Sequence, residues 1–335
     1  MPRRALKNAL DRVASADWYF FSGMRGAGKT TELRRLKADL EETGRWVVLY
    51  TNLSEYLPLN ALVEIGDFLL VVVSALADEV ERRFGEDFKQ IGPLARFVKF
   101  LQSEVKLEGL EWSVDTLLGR VGVKAKKVFD SVENLFNAHR DKLRFTTLDV
   151  VYSVPPHISA MAAAGAGRVF TLSMVKVFER PGPGAHGRPS PAGIDKMMSV
   201  IDRRSREWRS LIAEPDMREL ARMSGGDIRE LFSLVRETLN LLDPDDDAHF
   251  PAPTAAIEQC IKLRRNQFGT IPADHMKWLT RVVQTHGHGL LTAQDLGTLA
   301  QLLDGKLMLQ YRNGENWYDV HPILWDVVHL DVPSA

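Results

Sequence analysis

The chain has 335 residues, 45% of them hydrophobic and 26% charged, which is too long for one small core and predicts two or three domains. Its 43 Lys and Arg against 44 Asp and Glu leave a formal net charge of -1, which removes any global electrostatic case for nucleic acid or for an anionic membrane. The single cysteine, Cys260, excludes an internal disulfide and a C-x-x-C metal or redox site, so a reducing, cytoplasmic compartment is expected.

The start, Met1-Pro2-Arg3-Arg4, is not followed by the apolar region of a signal peptide. Trp18-Tyr19-Phe20-Phe21 reads as a short aromatic strand. It runs into Gly23-Met24-Arg25-Gly26-Ala27-Gly28-Lys29-Thr30, a complete G-x-x-x-x-G-K-[ST] phosphate-binding loop. The glycines let the backbone curl so that successive N–H groups point at phosphates, Lys29 adds a positive charge, and the Thr30 hydroxyl can complete a Mg²⁺ shell. Leu33, Leu36 and Leu40 then recur at helical spacing. Strand, glycine loop, helix is the order this motif needs, because the helix N-terminus adds its own partial positive charge. Gly23, Arg25, Gly26, Ala27, Gly28, Lys29, Thr30 and Thr31 are therefore the expected binding stretch for a nucleoside triphosphate.

Gly44 is placed to stop that helix, and Trp46-Val47-Val48-Leu49-Tyr50 predicts a doubly covered parallel strand reached by a right-handed crossover. Helical patterns follow over 59–84, 94–107 and 128–143. The longest apolar stretch, Phe68 to Ala77, is about half of the ~20 residues a spanning helix needs, so it predicts a buried helix and no membrane partner. Leu148 to Val154, stopped by Pro155-Pro156, and Arg168 to Val177 predict two more strands. The stretch Pro181-Gly182-Pro183-Gly184-Ala185-His186-Gly187-Arg188-Pro189 predicts a mobile loop.

A helix carrying Arg203, Arg204, Arg206 and Arg209 is expected from Gly193 to Ile212. After Glu214-Pro215, a unit through Ser224-Gly225-Gly226-Asp227-Ile228-Arg229 carries a wide apolar stripe of Ile228, Leu231, Phe232, Val235, Leu239 and Leu242. Near the end, Leu307, Leu309 and Tyr311 alternate up one arm and Trp317 and Val320 down another, and Asn313-Gly314 predicts a two-residue I′ turn between them. A short helix is expected from Pro322.

The loop at Gly23 to Thr30, the strand ending at Ser153-Val154-Pro155-Pro156, the Ser224-Gly225-Gly226-Asp227-Ile228-Arg229 helix start and the terminal hairpin together resemble the AAA+ and STAND classes of P-loop ATPases. Within them the chain is most similar to the origin-recognition-like and NACHT-like bacterial branches. The resemblance implies an α/β P-loop NTPase core over 1–213, with a parallel sheet, helices on both faces and a helical insertion at about 55–145. It further implies a helical lid at 214–269 and a winged helix at 270–335.

ATP or ADP with Mg²⁺ would be the cofactors, with Thr30 as the metal ligand and a homo-oligomer or partner protein in attendance. Ser153 would be the sensor 1 residue, or else a serine that merely ends its strand. Arg229 would be the sensor 2 arginine, or an exposed helix arginine. His321 would be the histidine that latches the diphosphate state, or a cap before Pro322. The arginine cluster would contain an arginine finger, or be a solvated helix face.

One family element is missing. No run of apolar residues ends in Asp or Asp-Glu between the second strand and the sensor 1 strand, where a Walker B acid belongs. Asp130 lies on a helical stripe and Asp149 inside its strand, so the element is degenerate within 108–130 or lost. In the usual strand order 5-1-4-3-2 that loss leaves neighbours to pair directly or stand as open edges.

The expected function is a nucleotide-controlled switch, in bacterial defence or signalling by class. The alternatives are a DNA-binding ATPase of the origin-recognition or transposition-loader type and a non-hydrolysing assembly scaffold. A hairpin offering only Lys306 and Arg312 as cations, beside Glu315 and Asp319, is poorly equipped to grip duplex.

Overall fold

The computed structural model describes residues 2–12, 17–56, 65–85, 143, 145, 148–158, 168–243, 250–287 and 293–328. Two compact units divide the chain. The first is Met1–Phe20, Thr30–Tyr152 and Met161–Phe170, and the second is Phe21–Lys29, Ser153–Ala160 and Thr171–Ala335.

Three strands form the described sheet: β1 (Trp18–Gly23), β2 (Val150–Val154) and β3 (Arg168–Leu172), in the order β2-β1-β3. Like ends adjoin. The Val150 amide donates to the Asp17 carbonyl at 3.0 Å where β1 and β2 begin. The Ser22 hydroxyl donates to the Pro155 carbonyl at 3.2 Å where they end. Where β1 meets β3, a Cβ on Gly23 would lie 2.4 Å from the Leu172 carbonyl oxygen. The strands are therefore parallel, and β1, central and buried at every position, needs its Trp-Tyr-Phe-Phe run because both its faces are covered. This is a parallel α/β sheet, and its order corresponds to the 5-1-4 part of the expected arrangement.

In the first unit, α1 (Pro2–Arg12) buries Leu6 and Leu10, while Arg3 pairs with Glu32 at 3.3 Å and Asp39 at 3.1 Å of α2 (Lys29–Glu41). The expected buried helix is α3 (Ile65–Phe84), with Phe68, Val71, Val72 and Ala75 inside. No helix among the described residues is long and apolar enough to cross a membrane.

The run 46–50 does not form the predicted strand. Side chains take its polar groups instead: the Val48 carbonyl accepts from Lys37 Nζ at 2.5 Å and from an Arg83 nitrogen at 2.8 Å, and Val47 is exposed. The patterns over 94–107 and 128–142, and the segment 108–130 with Asp130, lie outside the described residues. Asp149 is structural, its Oδ1 accepting from the Asp17 amide at 3.0 Å.

In the second unit, β3 stops at Leu172, five residues earlier than predicted. The chain then leaves the sheet because other partners take its amides: Met174 donates to Gln310 and Val175 to Gly226, each at 3.2 Å. The loop predicted to be mobile is pinned. His286 Nε2 meets the Gly182 carbonyl at 3.2 Å, Gly184 donates to Val283 at 3.1 Å, and the His186 ring stacks on Trp325 at 4.3 Å.

The predicted arginine-rich helix is two helices, α4 (Pro191–Arg204) and the single turn α5 (Trp208–Leu211). They join α6 (Glu214–Met223), α7 (Ile228–Leu239) and α8 (Thr254–Gln267) around one core that includes Met197, Trp208, Leu220, Leu231 and Ile257.

A second core holds α9 (Ala273–Thr285), α10 (Ala293–Asp304), and the hairpin β4 (Met308–Asn313) and β5 (Glu315–Val320), followed by a 3₁₀ turn at Pro322–Leu324. Both faces of β4 are buried from Met308 to Tyr311, more than the predicted alternation required. The predicted two-residue turn is tighter: Asn313 pairs with Glu315, leaving Gly314 alone at the tip with φ 78°. That register moves Arg312 opposite Asn316.

Candidate functional site

Within the second unit, the loop residues Met24 and Ala27 lie among elements from its far C-terminal part. Met24 is fully buried in the core shared by Leu302, Leu303, Leu309 and Tyr311, and Ala27 packs on the same core. Gly26 and Gly28 take φ of 98° and 92°, so the loop curls as the motif requires. Lys29 folds its ammonium back onto the loop, donating to the Gly23 carbonyl at 2.5 Å and the Met24 carbonyl at 3.1 Å. Two of its three donor hydrogens hold the curl, and the third is available to an anion.

Helix α7 supplies the facing wall. Its N-cap is Asp227, fully buried, whose Oδ1 accepts from the Arg229 amide at 2.8 Å and the Glu230 amide at 3.4 Å. This carboxylate stands against the loop: a Cβ on Gly26 would lie 2.9 Å from Oδ1 and 3.1 Å from Oδ2. Gly26 is thus required twice, by its positive φ and by the approach of Asp227. Lys306, between α10 and β4, brings Nζ to 2.5 Å from Asp227 Oδ2 as a charge contact rather than an aligned hydrogen bond.

Burial pushes the Lys29 pKa down from 10.5 to about 8, with Asp304 pulling it up and Arg229 pushing it further down. Arg229 therefore shares a field with Lys29, and no ion pair among the described residues uses it. Asp304, exposed at the end of α10, has its carboxyl pKa raised by desolvation against the opposing pull of Arg25 and Lys29. Lys29 thus feels the charges of Arg229 and Asp304, and Asp304 those of Lys29 and Arg25. Three cations fit a polyphosphate, which would satisfy the positive charge that one carboxylate leaves over.

The lowered Lys29 pKa has a testable sign. The unfolded chain titrates this amine near 10.5 and the folded chain at about 8, so the folded state carries the cost of the buried charge in full below pH 8. That cost is about 3 kcal/mol. It is shed as pH rises from about 8 toward 10.5, where the unfolded state binds the extra proton. Urea unfolding of Lys29→Met against the parent chain should show a stability difference that favours the substitution more at pH 7.5 than at pH 9.5, whatever offset the two lost hydrogen bonds add at both. The same difference at both values would contradict a depressed amine.

The glycine pair ahead of α7 is a place of close backbone approach. A Cβ on Gly225 would meet Leu309 Cδ1 at 2.2 Å, and one on Gly226 the Val175 carbonyl oxygen at 1.8 Å. The Tyr311 hydroxyl donates to the Gly225 carbonyl at 2.8 Å. These glycines seat the hairpin and the post-β3 segment against the start of α7. Arg229 is exposed.

His321 is fully buried. Its Nδ1 accepts from the Ile323 amide at 3.4 Å, the capping alternative, and Nε2 has no hydrogen-bond partner. Burial holds its pKa down to about 3, with Asp227 pulling it up and Lys306 and Arg264 pushing it down. Ser153 is exposed near the end of β2, the strand beside β1.

Of the arginine cluster, Arg204 lies 5.6 Å over the Phe232 ring, while Arg209 lies 4.4 Å over Trp208 and pairs with Asp202 at 3.0 Å. Those two tie neighbouring helices of the second unit together, Arg204 reaching α7 and Arg209 reaching α4.

Thr30 and Thr31 belong to the first unit, both exposed in the first turn of α2. Thr30 borders a cavity of about 380 Å³ together with Arg34, Tyr50, Asn52, Asp78 and Glu79. Both acids already have partners: Asp78 accepts from the Tyr56 hydroxyl at 2.9 Å, and Glu79 from Arg82 through two bonds of 2.8 Å. Among the described residues no three His, Cys, Asp or Glu side chains cluster as a metal site.

Asp227, Asp304 and Lys306 were not singled out for the site by sequence reasoning. Asp227 carried a readable signal, an aspartate at N-cap spacing before Arg229-Glu230. The Asp304-Gly305-Lys306 turn carried none, because only folding brings it to residue 26.

No family model and no curated protein matches the chain. Among solved structures it is similar to the crystal structure of Cdc6p from Pyrobaculum aerophilum, at 12% identity and a TM-score of 0.37 over 97% of this chain and 92% of that chain, a likeness too loose to transfer any residue's role.

Proposed function

We propose that this chain is a nucleotide-controlled switch of the AAA+/STAND kind, binding ATP or ADP with Mg²⁺ on the loop from Gly23 to Thr31. The observation that supports the reading is a glycine loop curled by the positive φ of Gly26 and Gly28, with the Lys29 ammonium folded onto it and the charge of Arg229 acting on that ammonium. Residues 1–213 are read as the NTPase core, 214–269 as the lid and 270–335 as a winged helix. Thr30 is read as the Mg²⁺ ligand, Ser153 as sensor 1 and Arg229 as sensor 2. Bound triphosphate supplies more negative charge than diphosphate, and that difference is what an arginine on the lid can sense. The molecule then works by population shift, as a homo-oligomer or with a protein partner. Hydrolysis stays outside the proposal for want of a Walker B acid.

The DNA-loader alternative is disfavoured by the hairpin's own charges. Lys306 turns inward to Asp227, and Asp319 is buried, which leaves Arg312 as the one outward cation of the hairpin.

Calorimetry with Mg²⁺-ATP and Mg²⁺-ADP, and ATP turnover with and without duplex DNA, test the reading. Binding of both nucleotides without stimulation by DNA is expected. Stimulation by DNA would favour the loader, and no heat of association with either nucleotide would remove the proposal. Arg229→Ala should weaken ATP binding about tenfold while changing ADP affinity by less than about threefold, as loss of a charge-assisted contact to the terminal phosphate predicts. Equal losses for both nucleotides would take away its sensor role.

A further inference from the structure

The phosphate loop has an anion buried against it, which is a poor neighbour for a phosphate unless something neutralises it. Asp227 is fully buried, with one oxygen spent on the N-cap of α7 and the other facing Lys306 Nζ at 2.5 Å. No other ion pair among the described residues reaches Asp227. The carboxylate also touches the loop itself, since both of its oxygens crowd the space above the Gly26 α-carbon. Lys306 belongs to neither loop nor lid. It sits at the entry of the terminal hairpin, one residue past Gly305, two past Asp304 and two before Met308.

The backbone there adds an independent sign. Lys306 has φ 56°, the left-handed region that side chains with a Cβ rarely adopt and that glycine would occupy more easily. A lysine held in a disfavoured conformation, its side chain largely withdrawn from solvent, is the kind of local strain that collects at functional positions. Its neighbours are held rigidly: Leu309 and Tyr311 of β4 pack on Gly225, and the Leu307 carbonyl accepts from the His321 amide at 3.0 Å.

We infer that Lys306 is a positioning residue of the nucleotide pocket: it neutralises Asp227 beneath Gly26, so that the loop can accept polyphosphate, and ties the hairpin to the occupancy of that loop. The inference rests on the nucleotide-binding reading above. It gives the hairpin's link to the pocket to a lysine–aspartate pair, where the resemblance gives it to His321. Without the lysine, Asp227 keeps a buried, uncompensated charge next to the incoming phosphates. With both charges removed, the conflict disappears and asparagine still caps the helix.

The test is a double-substitution cycle of Lys306→Met and Asp227→Asn, with Mg²⁺-ATP and inorganic tripolyphosphate as probes and calorimetry as the readout. Lys306→Met alone should lose at least tenfold in affinity for both probes. Asp227→Asn alone should bind as well as the parent chain or better, and the pair together should return to within about threefold of the parent.

A purely structural lesion predicts no such rescue, so a double variant as weak as Lys306→Met would overturn the inference, as would parent-like binding by Lys306→Met. Should Lys306→Met fail to fold, the folded double variant decides alone: parent-like affinity supports the inference, and a loss beyond tenfold defeats it. Parent protein that binds neither probe brings down the nucleotide reading and this inference together. Parent protein that binds both, with Lys306→Met unchanged, defeats the inference only.

Discussion

Lys29→Ala is expected to lower the affinity for Mg²⁺-ATP by at least about 100-fold while leaving the protein folded. On the proposed reading the ammonium would make charge-assisted hydrogen bonds to the phosphates, each contributing about 1.5–3 kcal/mol, and a 100-fold loss corresponds to about 2.8 kcal/mol. The stability side of the substitution runs the other way. Lys29 is half-buried, its pKa is depressed to about 8, and it stands near Arg229, so the empty pocket holds a charge the fold would be easier without. Alanine removes that burden together with two hydrogen bonds to the Gly23 and Met24 carbonyls, which leaves a small net change in Tm. Binding lost with Tm preserved is therefore the expected signature, the usual pattern of a residue kept for function against stability. Affinity within threefold of the parent chain would mean that the loop does not hold phosphates. A large fall in Tm would mean instead that Lys29 is a structural clamp.

The parts of this fold that were legible in the sequence are those specified by local chemistry. The aromatic run before Gly23, the glycine spacing and the leucine period after Thr30 fixed strand, loop and helix, and all three are present. The alternation on either side of Gly314 likewise acts over a few residues, and the hairpin it marks is present, with a tighter turn than the two-residue one. What could not be read depends on partners distant in sequence. The segment 46–50 has every local mark of a strand, yet Lys37 and Arg83 side chains take its Val48 carbonyl. The glycine- and proline-rich loop at 181–189 has no local reason to be still, yet His286, Val283 and Trp325 hold it.

The candidate site divides in the same way. Arg229 could be singled out because it stands next to a glycine pair at the head of an amphipathic helix, and in the structure its charge adds to the lowering of the Lys29 pKa. Lys306 was visible only as a surface cation of a hairpin. Its inward turn follows from the core that Met24 shares with Leu309 and Tyr311, which no window of neighbouring residues encodes. A histidine before proline can cap a turn or reach a ligand, and at His321 the structure shows the cap bond from the Ile323 amide to Nδ1.

Gly226→Ala should destabilise the second unit by about 3–4 kcal/mol, lowering its Tm by about 10 °C. Two costs add. The native φ of 83° is one that alanine adopts only at about 1–2 kcal/mol. The new methyl carbon would also lie 1.8 Å from the Val175 carbonyl oxygen and 2.8 Å from its carbon. Backbone cannot yield there as a flexible side chain would, because the Val175 amide is itself bonded to the Gly226 carbonyl at 3.2 Å, and overpacking of this kind costs about 1–3 kcal/mol. At about 2–4 °C per kcal/mol for a unit of this size, the sum gives the stated fall. Gly297→Ala is the contrasting substitution. It lies within α10 with nothing inside 4 Å of an added Cβ, so alanine should raise stability by up to about 1 kcal/mol through helix propensity alone. Calorimetric melts of the two variants should therefore move in opposite directions. A silent Gly226→Ala would mean that the segment after β3 does not lie on the start of α7, and with it would go the close seating of Asp227 against the phosphate loop.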